Sequence, residues 1–458
     1  MKSRKKKKEF YTEYTARNAL KNGSFIVRLS AIVFGLGCLV HKQIAKGILY
    51  LTSEILLIVY MVQTGFYNLS KFRTLGDVEQ QKVWNEAKSL YEYVDGDRSL
   101  IILLYGIVTL SLILVFFLIA KSSLKQAYRL ECQSKKGEQI LTLKQELKEL
   151  LNGNLHITLL TFPVLGVLMF TILPLVFMIS MAFTNYSVEG NKLVLFDWVG
   201  LENFRKIFDF GDSLGQTFWS VFGWTMVWAV VATFSNYILG MLLALFINWK
   251  EIRAKKMWRF CFALTVAIPH FVTLLIIKSM LQPEGAVNIL LRNLGLIGAT
   301  QSLPFFTDAT WARVVVILIN IWVGVPYTLL QVTGILPNIP TELYEAARVD
   351  GAGPIVTFMK ITLPYMLFVT TPYLITTFTG NVNNFNVIFL TTEGLPRSVG
   401  STAGKTDLLI TWLYKLTIEN QYFDVGAVVG IMTFVTLTIV SLVTFTFSGS
   451  NRNEEAFR

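Results

Sequence analysis

Residues 340–364 read PTELYEAARVDGAGPIVTFMKITLP, a partly polar stretch between two long runs of apolar residues. Thr341 can cap a short helix that has small residues along one side. Gly351 and Gly353 then break this helix, and a second helical turn follows before Pro364 opens the next apolar run. The stretch predicts a compact helix–turn–helix between two membrane spans, of a shape that suits docking into the groove of a partner. An ordinary amphipathic connector is the alternative.

The composition of the whole chain is that of a membrane protein. Of 458 residues, 53% are hydrophobic and 16% are charged, whereas soluble domains carry about 25% charged residues. A disordered, collagenous or disulfide-stapled secreted protein is thereby excluded. A membrane helix needs about 20 mostly apolar residues. Seven stretches without Asp, Glu, Lys or Arg reach or approach that length, and an eighth is interrupted only by Glu54. The eight predicted spans are residues 47–70, 99–120, 157–187, 216–249, 260–277, 314–341, 361–392 and 425–451.

The distribution of charge predicts the orientation of these spans. Residues 2–8, 121–156 and 250–259 are rich in Lys and Arg, which is typical of cytoplasmic loops, whereas residues 188–215 are rich in acids and are predicted to be external. An even number of spans must therefore precede the second basic stretch. We expect the short apolar stretch 29–40 to form a helix on the membrane surface. The predicted fold class is an all-α integral membrane protein with about eight transmembrane helices and both termini in the cytoplasm.

The sequence pattern predicts no catalytic residue, no metal and no cofactor. The three cysteines and three histidines are scattered without metal-ligand spacing. Gly400-Ser-Thr-Ala-Gly404-Lys405-Thr406 looks like a phosphate-binding loop, but three residues separate its glycines where that loop needs four. The net charge of +11 is explained by orientation and by attraction to anionic membrane lipid. We expect membrane lipid and no nucleic acid among the partners.

The spacing of Glu-Ala-Ala, Gly and Ile-x-Leu-Pro within the opening stretch resembles the coupling-loop signature of permease subunits in binding-protein-dependent ABC importers. The resemblance implies the permease fold of that family, with a coupling loop at residues 337–364. This loop would sit in a groove of an ATP-binding subunit and pass its movement to the spans. The residues to which the resemblance gives this role are Glu345, Ala346, Ala347, Asp350, Gly351, Ile361, Leu363 and Pro364.

Further segments are similar to the larger maltose/maltodextrin permease subunit within that family. These segments are residues 183–187, 200–204, 320–327, 383–385 and 406–409. The resemblance implies three parts of the chain. Residues 1–156 would hold a basic N-terminal segment, the surface helix and two peripheral transmembrane helices. Residues 157–447 would form a six-helix transmembrane domain, and residues 448–458 a short cytoplasmic tail.

The same resemblance implies a set of partners. These are a second homologous permease subunit, two copies of a cytoplasmic ATP-binding subunit, an extracellular solute-binding protein and an oligosaccharide substrate moved by alternating access. ATPase activity would then belong to separate subunits, and the chain itself would not be an enzyme. The external loop after Ser187 lacks the large insertion of enterobacterial members. This departure implies the cell membrane of a bacterium without an outer membrane.

Polar residues within the spans are candidates for binding the substrate, because polar groups at membrane depth are costly unless they are functional. Asn320 and Tyr327 are predicted to share a helical face, and Gly324 between them leaves room for a sugar ring. A second set recurs at i, i+4 and i+7 and is expected to share another face: Thr377, Asn381 and Asn384. The alternative for such residues is that they hold helices together.

By resemblance, the sugar-contacting positions are Val266, His270, Asn320, Val323, Gly324, Tyr327, Thr377, Gly380 and Asn381. Three of these depart from the maltose-type pattern, since Val266 replaces a tyrosine, His270 a serine and Gly380 a phenylalanine. The loss of two aromatic residues is consistent with a longer or different oligosaccharide. His270 has a second interpretation, because its ring can satisfy a carbonyl freed by Pro269.

The sequence thus predicts the permease subunit of an ATP-driven importer that moves an oligosaccharide, with maltose or maltodextrin as the first candidate. A permease for a galacto-oligosaccharide or a raffinose-type sugar is the alternative within the class. An ion-coupled secondary transporter is the alternative from another class. Such a transporter usually needs intramembrane carboxylates, and Glu54 is the only acid in a predicted span.

Overall fold

The computed structural model describes residues 14–86, 88–94, 96–249 and 251–447, most of them helical. By its internal contacts the chain divides into two compact units, Met1–Gly200 and Leu201–Arg458. The long helices follow from uninterrupted apolar sequence, because only a helix satisfies all backbone polar groups within one segment.

The first unit contains nine described α-helices and one β-hairpin. The helices are α1 Ala16–Asn22, α2 Phe25–Leu29, α3 Leu36–Val40, α4 Ile44–Tyr60, α5 Phe66–Lys71, α6 Ser99–Lys135, α7 Leu143–Leu151, α8 Leu155–Val167 and α9 Leu173–Met181. Single π-helical turns, Met61–Gly65 and Leu168–Ile172, join α4 to α5 and α8 to α9. A short 3₁₀ turn follows at Glu189–Asn191.

The second unit is helical throughout its described residues. Its α-helices are α10 Glu202–Phe208, α11 Ser213–Asn248, α12 Lys255–Ala267, α13 His270–Met280, α14 Ala286–Asn293, α15 Ala309–Ile335, α16 Thr341–Val349, α17 Pro354–Thr357, α18 Leu363–Val382, α19 Phe385–Thr391, α20 Leu409–Tyr414 and α21 Phe423–Phe447. A 3₁₀ turn lies at Leu336–Asn338, and π-helical turns lie at Phe358–Thr362 and Lys415–Glu419. The helices α11 and α15 pack against each other, and α11 also packs on α18.

Seven helices in the described part of the chain are long and apolar enough to cross a membrane. They are Ile44–Lys71, Ser99–Lys135, Leu155–Met181, Ser213–Asn248, Ala309–Asn338, Pro354–Thr391 and Phe423–Thr446. The pair α12 and α13 forms an eighth candidate, bent by 86°. Each predicted span overlaps one of these helices, which confirms the helical membrane fold with seven or eight spans.

The bend between α12 and α13 has its cause in Pro269. Ile268 has ψ 128° and Pro269 has ψ 126°, so both residues are extended. A proline lacks the N–H of a helical hydrogen bond and disfavours the α conformation of the residue before it. The predicted span 260–277 is therefore two helices rather than one.

Two other prolines are accommodated without a break. Pro174 and Pro364 each follow a leucine at the start of a helix, directly after a π-helical turn. A proline ring clashes with the carbonyl four residues earlier, and a widened turn relieves that clash. The expectation that Pro364 opens a span is thus wrong, since the helix already begins at Pro354 and runs through it.

The stretch 29–40 is not one helix. It contains the end of α2 and the whole of α3, and both helices pack on α6. The turn between them is fixed by two buried hydrogen bonds. The N–H of Phe34 donates to Oε2 of Glu54 at 2.7 Å, and the N–H of Gly35 donates to Oγ of Ser123 at 2.9 Å. Among the described residues, the hydrogen-bond partner of Glu54 is the backbone of this turn.

A β-hairpin lies in the loop between the first two spans, where no strand was expected. Gln81–Asn85 pairs antiparallel with Leu90–Val94, with Val83 opposite Glu92. Val, Trp and Tyr in this loop favour strands, and Trp84 packs edge-on against Tyr91 at 4.9 Å between ring centroids.

Asp97 anchors this loop to the end of the first span. Its carboxylate accepts hydrogen bonds from Nζ of Lys71 at 2.5 Å, the hydroxyl of Tyr67 at 2.9 Å, and the N–H groups of Asp77 and Val78 at 3.0 and 3.1 Å. Burial alone would raise the pKa of Asp97, but these hydrogen bonds, led by the one from Lys71, hold that pKa well below its usual range.

Candidate transport site and coupling loop

The helix expected after Pro340 is present as α16, but Thr341 is its first residue and not its cap. The cap position belongs to Pro340, which makes no side-chain hydrogen bond. The helix is held by Tyr344, whose hydroxyl shares a 3.0 Å hydrogen bond with Oγ1 of Thr362. Ile339, just before the helix, is 3% exposed and belongs to a core cluster with residues of α11 and α15. The loop is therefore fixed to the ends of the long helices.

The C-terminal end of α16 explains why Gly351 is a glycine. The N–H of Ala352 donates to the carbonyl of Ala347 at 2.8 Å, and the N–H of Gly351 donates to the carbonyl of Arg348 at 3.1 Å. This pair of bonds is a Schellman motif, which places its turning residue in the left-handed region. Gly351 has φ +74°, and a side chain there would be strained by about 1 kcal/mol.

The eight predicted coupling residues fall into two groups by exposure. The exposed group is Glu345, Ala346, Asp350, Gly351 and Pro364, and the buried or half-buried group is Ala347, Ile361 and Leu363. Beside the exposed group, Val349 is 89% and Ile355 is 78% exposed. Apolar side chains next to carboxylates form a surface suited to a protein partner. The buried group instead faces this chain's own core.

The nine predicted sugar-contacting residues lie on α12, α13, α15 and α18 within the second unit. Two are buried (Asn320 and Asn381), five are half-buried (Val266, His270, Val323, Gly324 and Thr377) and two are exposed (Tyr327 and Gly380). A Cβ added to Gly380 would meet no atom within 4 Å. The exposed members thus leave free surface on α15 and α18, while the buried asparagines lie among the helices.

Asn381 is bound at both its side chain and its backbone. Its Nδ2 donates to Oγ1 of Thr233 at 2.9 Å, and its carbonyl accepts from Nε1 of Trp228 at 3.0 Å. Both partners belong to α11, so Asn381 holds α18 against α11. In this structure Asn381 has the helix-joining role that was the alternative for such residues.

Asn384 does not share a helical face with Thr377 and Asn381, because α18 ends at Val382. Asn384 instead caps α19 by accepting from the N–H of Val387 at 3.2 Å. Its Nδ2 donates to Oδ1 of Asn320 at 3.3 Å. Asn384 is therefore a helix cap that also contacts Asn320 of α15, and it is not part of a polar face of α18.

The space beside Gly324 is filled by Asn236 of α11 and not left open for a sugar ring. A Cβ added to Gly324 would lie 2.3 Å from Nδ2 of Asn236. Sequence reasoning missed Asn236, although an amide in the middle of a long uncharged span is itself a signal of function. Asn236 is 6% exposed, as is Asn320.

His270 begins α13 directly after the bend, and its ring is half-buried. Its Nε2 is buried and has no hydrogen-bond partner among the described residues. Nε2 of His270 therefore does not bond to a carbonyl freed by Pro269. The histidine therefore presents a polar atom at the break in the span.

A cavity of about 380 Å³ lies where α13 and α19 end. Its walls include Lys278 at the end of α13, Phe305 and Glu393. Nζ of Lys278 lies 2.5 Å from Oε1 of Glu393, which ties α13 to the segment after α19.

The segment Gly400–Thr406 forms part of a turn closed by a bridge between Arg397 and Gly404. The N–H of Gly404 donates to Oδ2 of Asp407 at 2.7 Å. A carboxylate therefore already holds this N–H, which agrees with the rejection of a phosphate-binding loop.

The chain has long apolar helices, an exposed helix–turn between two of them, and polar side chains within them. Together these features are typical of a membrane transport protein. The family described as "Binding-protein-dependent transport system inner membrane component" matches residues 236–452. The chain is 34% identical over 442 residues to the maltodextrin transport system permease protein MdxF of Bacillus subtilis, covering 93% of this chain and 96% of that protein. It is 33% identical over 432 residues to the galactooligosaccharides transport system permease protein GanP of Bacillus subtilis, covering 94% of this chain and 99% of that protein.

The solved structure of a bacterial ABC transporter that imports the acidic polysaccharide alginate has a chain of the same fold. Its TM-score is 0.52 at 22% identity, covering 68% of this chain and 99% of that chain. The present chain belongs to the family of inner membrane components of binding-protein-dependent transport systems. It is a multi-pass permease of the cell membrane and not itself an enzyme, and this membership does not support an ion-coupled secondary transporter.

Proposed function

We propose that the chain is the permease subunit of an ATP-driven importer for an oligosaccharide, with maltose or maltodextrin as its substrate. The observation that carries this proposal is the 34% identity to a maltodextrin permease over 93% of the chain. In addition, Asn320, Gly324, Tyr327 and Asn381 keep the residues expected of a maltose permease.

A galacto-oligosaccharide is the second candidate substrate. It is favoured by 33% identity to a galactooligosaccharide permease over 94% of the chain. The replacement of aromatic residues at Val266 and Gly380 also favours a sugar other than maltose. Both candidates are neutral and rich in hydroxyl groups, so both suit amides and hydroxyls at mid-span.

The sugar path that we propose runs beside α13, α15 and α18. Tyr327, Thr377 and Gly380 provide exposed or half-exposed surface there, and Asn320 and His270 provide buried polar atoms. Asn381 serves this path indirectly, because it is already bonded to Thr233. The path opens to one side of the membrane at a time.

The proposed coupling surface is the exposed group around Glu345 and Asp350, with the apolar side chains of Val349 and Ile355. It would be covered by one of two ATP-binding subunits in the cytoplasm. Tyr344 and the half-buried Ile361 would then transmit the movement to α18, because both connect the loop to the core. The remaining partners would be a second homologous permease and an extracellular solute-binding protein.

The orientation follows from the basic loops, which would keep both termini in the cytoplasm and bind anionic lipid. Residues 1–156 would be peripheral to the six-helix transport domain at 157–447, with a cytoplasmic tail at 448–458. The short loop after Ser187 suits a bacterium without an outer membrane.

Co-purification followed by uptake competition tests the proposal. The tagged chain is expected to retain an ATP-binding subunit and a second permease through purification. Uptake of maltotetraose is expected in the presence of the binding protein, with raffinose and galactobiose as competitors. Stronger competition by galactobiose would support the second candidate, and uptake without any ATP-binding subunit would overturn the proposal.

A further inference from the structure

Two buried amides on neighbouring helices have enclosed polar atoms without a hydrogen-bond partner. Oδ1 of Asn236 and Nδ2 of Asn320 are fully enclosed and have no hydrogen-bond partner in the part of the chain that the structure describes. Both residues are 6% exposed. Buried polar groups are nearly always hydrogen-bonded, because leaving one unbonded after its removal from water is costly. Two such atoms in one region therefore need an explanation.

The two amides lie close together because of Gly324. The side chain of Asn236 occupies the space that a Cβ of Gly324 would need, with Oδ1 2.9 Å from that position. Gly324 follows Asn320 by four residues in α15, so the two share a helical face with Cβ positions about 5–6 Å apart. The amide of Asn236 thus lies about one helical turn along α15 from the position of Asn320.

The orientation of the Asn320 amide is fixed. Its Oδ1 accepts from Nδ2 of Asn384 at 3.3 Å, and Nδ2 of Asn320 is left as the unbonded donor. Asn381 differs in this respect, because its amide already donates to Thr233. Of these three amides, Asn320 and Asn236 are therefore the ones that can still form a hydrogen bond.

One unbonded atom is a donor and the other is an acceptor. A single hydroxyl group both accepts and donates, so one hydroxyl can satisfy both atoms. Of these two enclosed atoms, a carboxylate would satisfy only Nδ2 of Asn320, and an ammonium group would satisfy only Oδ1 of Asn236. We propose that Asn236 is a substrate-contacting residue that binds one sugar hydroxyl jointly with Asn320, and that Gly324 positions Asn236 for this contact. This assignment rests on the proposed function as an oligosaccharide permease.

Uptake of maltotetraose and of analogues that each lack one hydroxyl tests the assignment in the assembled transporter. Wild type is expected to take up one analogue at least tenfold less well than maltotetraose. In Asn236→Leu, uptake of maltotetraose is expected to fall by a similar factor, with no further loss for that analogue, because the amide and the hydroxyl form one interaction. Asn236→Thr, which keeps an acceptor, is expected to restore part of the difference.

Two glycine variants on α15 provide a matched pair that leaves Asn236 itself unchanged. Gly324→Ala is expected to displace Asn236 and to remove the discrimination between the analogues. Gly334→Ala is the control, because a Cβ there meets no atom within 4 Å. Co-purification with the ATP-binding subunit checks assembly of every variant.

An equal loss for all analogues in Asn236→Leu and in Gly324→Ala would make Asn236 a packing residue and overturn the assignment. If wild type imports galactobiose instead, the same set of analogues is built on galactobiose. If wild type imports neither sugar, the proposed function fails and this assignment fails with it.

Discussion

Lys415 and Asp407 form an ion pair of 2.7 Å in which the two side chains are 8% and 0% exposed. The carboxylate also accepts from the hydroxyl of Thr411 at 2.9 Å, and Nζ of Lys415 donates to the carbonyl of Glu393 at 2.7 Å. The segment between α19 and α20 is thus built around two buried charges, and each charge has a further hydrogen-bond partner besides its counterion.

Removing one charge of this pair is expected to destabilise the protein strongly. Asp407→Asn leaves the ammonium of Lys415 buried without a counterion, which costs about 3–5 kcal/mol in comparable cases. Thermal unfolding of the purified protein measures the loss. The control is Asp197→Asn, because the Lys192–Asp197 pair is largely exposed and such pairs contribute at most about 1 kcal/mol. Equal effects of the two variants would contradict this prediction.

Gly351 and Gly353 offer a matched test of the coupling loop. Gly351→Ala is expected to strain the end of α16 and to reduce uptake, and Gly351→Pro is expected to abolish it, with the protein still in the membrane. Gly353→Ala is expected to change little, since Gly353 has φ −72° and open space around its Cα. Uptake per unit of membrane-inserted protein is the measurement, and normal uptake by Gly351→Pro would refute the coupling assignment.

Glu345→Lys is expected to abolish uptake without loss of the protein from the membrane. Glu345 is exposed on α16, so its replacement reverses a charge on the proposed partner surface and leaves the fold alone. Glu342→Lys on the same helix is the control and is expected to retain more uptake. Co-purification with the ATP-binding subunit measures the lost contact, and unchanged recovery together with unchanged uptake would argue against this surface.

Asn320→Leu is expected to lower sugar-stimulated transport by about tenfold, the equivalent of about 1.4 kcal/mol. The change removes Nδ2 of Asn320, which is a donor, and Oδ1 of Asn320, which accepts from Asn384. Both atoms lie at the proposed path. Assembly with the ATP-binding subunit should be unaffected. Asn383→Leu is the control, because the side chain of Asn383 is exposed and donates to the carbonyl of Thr379 in the preceding turn. An unchanged choice among sugars in Asn320→Leu would count against its role in the path.

The loop held by Asp97 is expected to be stable over a wide pH range. Because the folded pKa of Asp97 is lowered, its stabilisation is fully present above the unfolded pKa of about 3.9 and is lost as pH falls through the folded pKa. Limited proteolysis should find wild type more resistant than Asp97→Asn by a constant factor from pH 5 to 8. The difference should shrink only in strong acid, and a loss between pH 5 and 7 would exclude Asp97 as the anchor.

Features that depend on one continuous stretch of sequence could be predicted. The spans follow from runs of about 20 uncharged residues, and the end of α16 follows from Gly351 because glycine adopts its left-handed backbone angle without strain. The bend at Pro269 was signalled by the proline, although its size of 86° was not.

Features that depend on two distant segments could not be predicted. The pairing of Asn236 with Gly324 requires the register between α11 and α15, which no single stretch contains. The sequence places Asn384 on a face of α18 because no glycine or proline directly after Val382 marks the end of that helix. The hairpin of Gln81–Asn85 and Leu90–Val94 lies in a polar loop. The residues there that favour strands are too few for the sequence to predict it.

The hydrogen bond between Glu54 and Phe34 has a consequence for biosynthesis. A carboxylate near the centre of a span costs about 2.5–3.5 kcal/mol when the translocon releases that span into lipid. Phe34 is translated 20 residues before Glu54, so the backbone N–H that donates to this carboxylate already exists when the span leaves the ribosome. Ser123, the second group that fixes the same turn, emerges much later. A hydrogen-bond donor for the acid of the first span is thus available before the second span has been made.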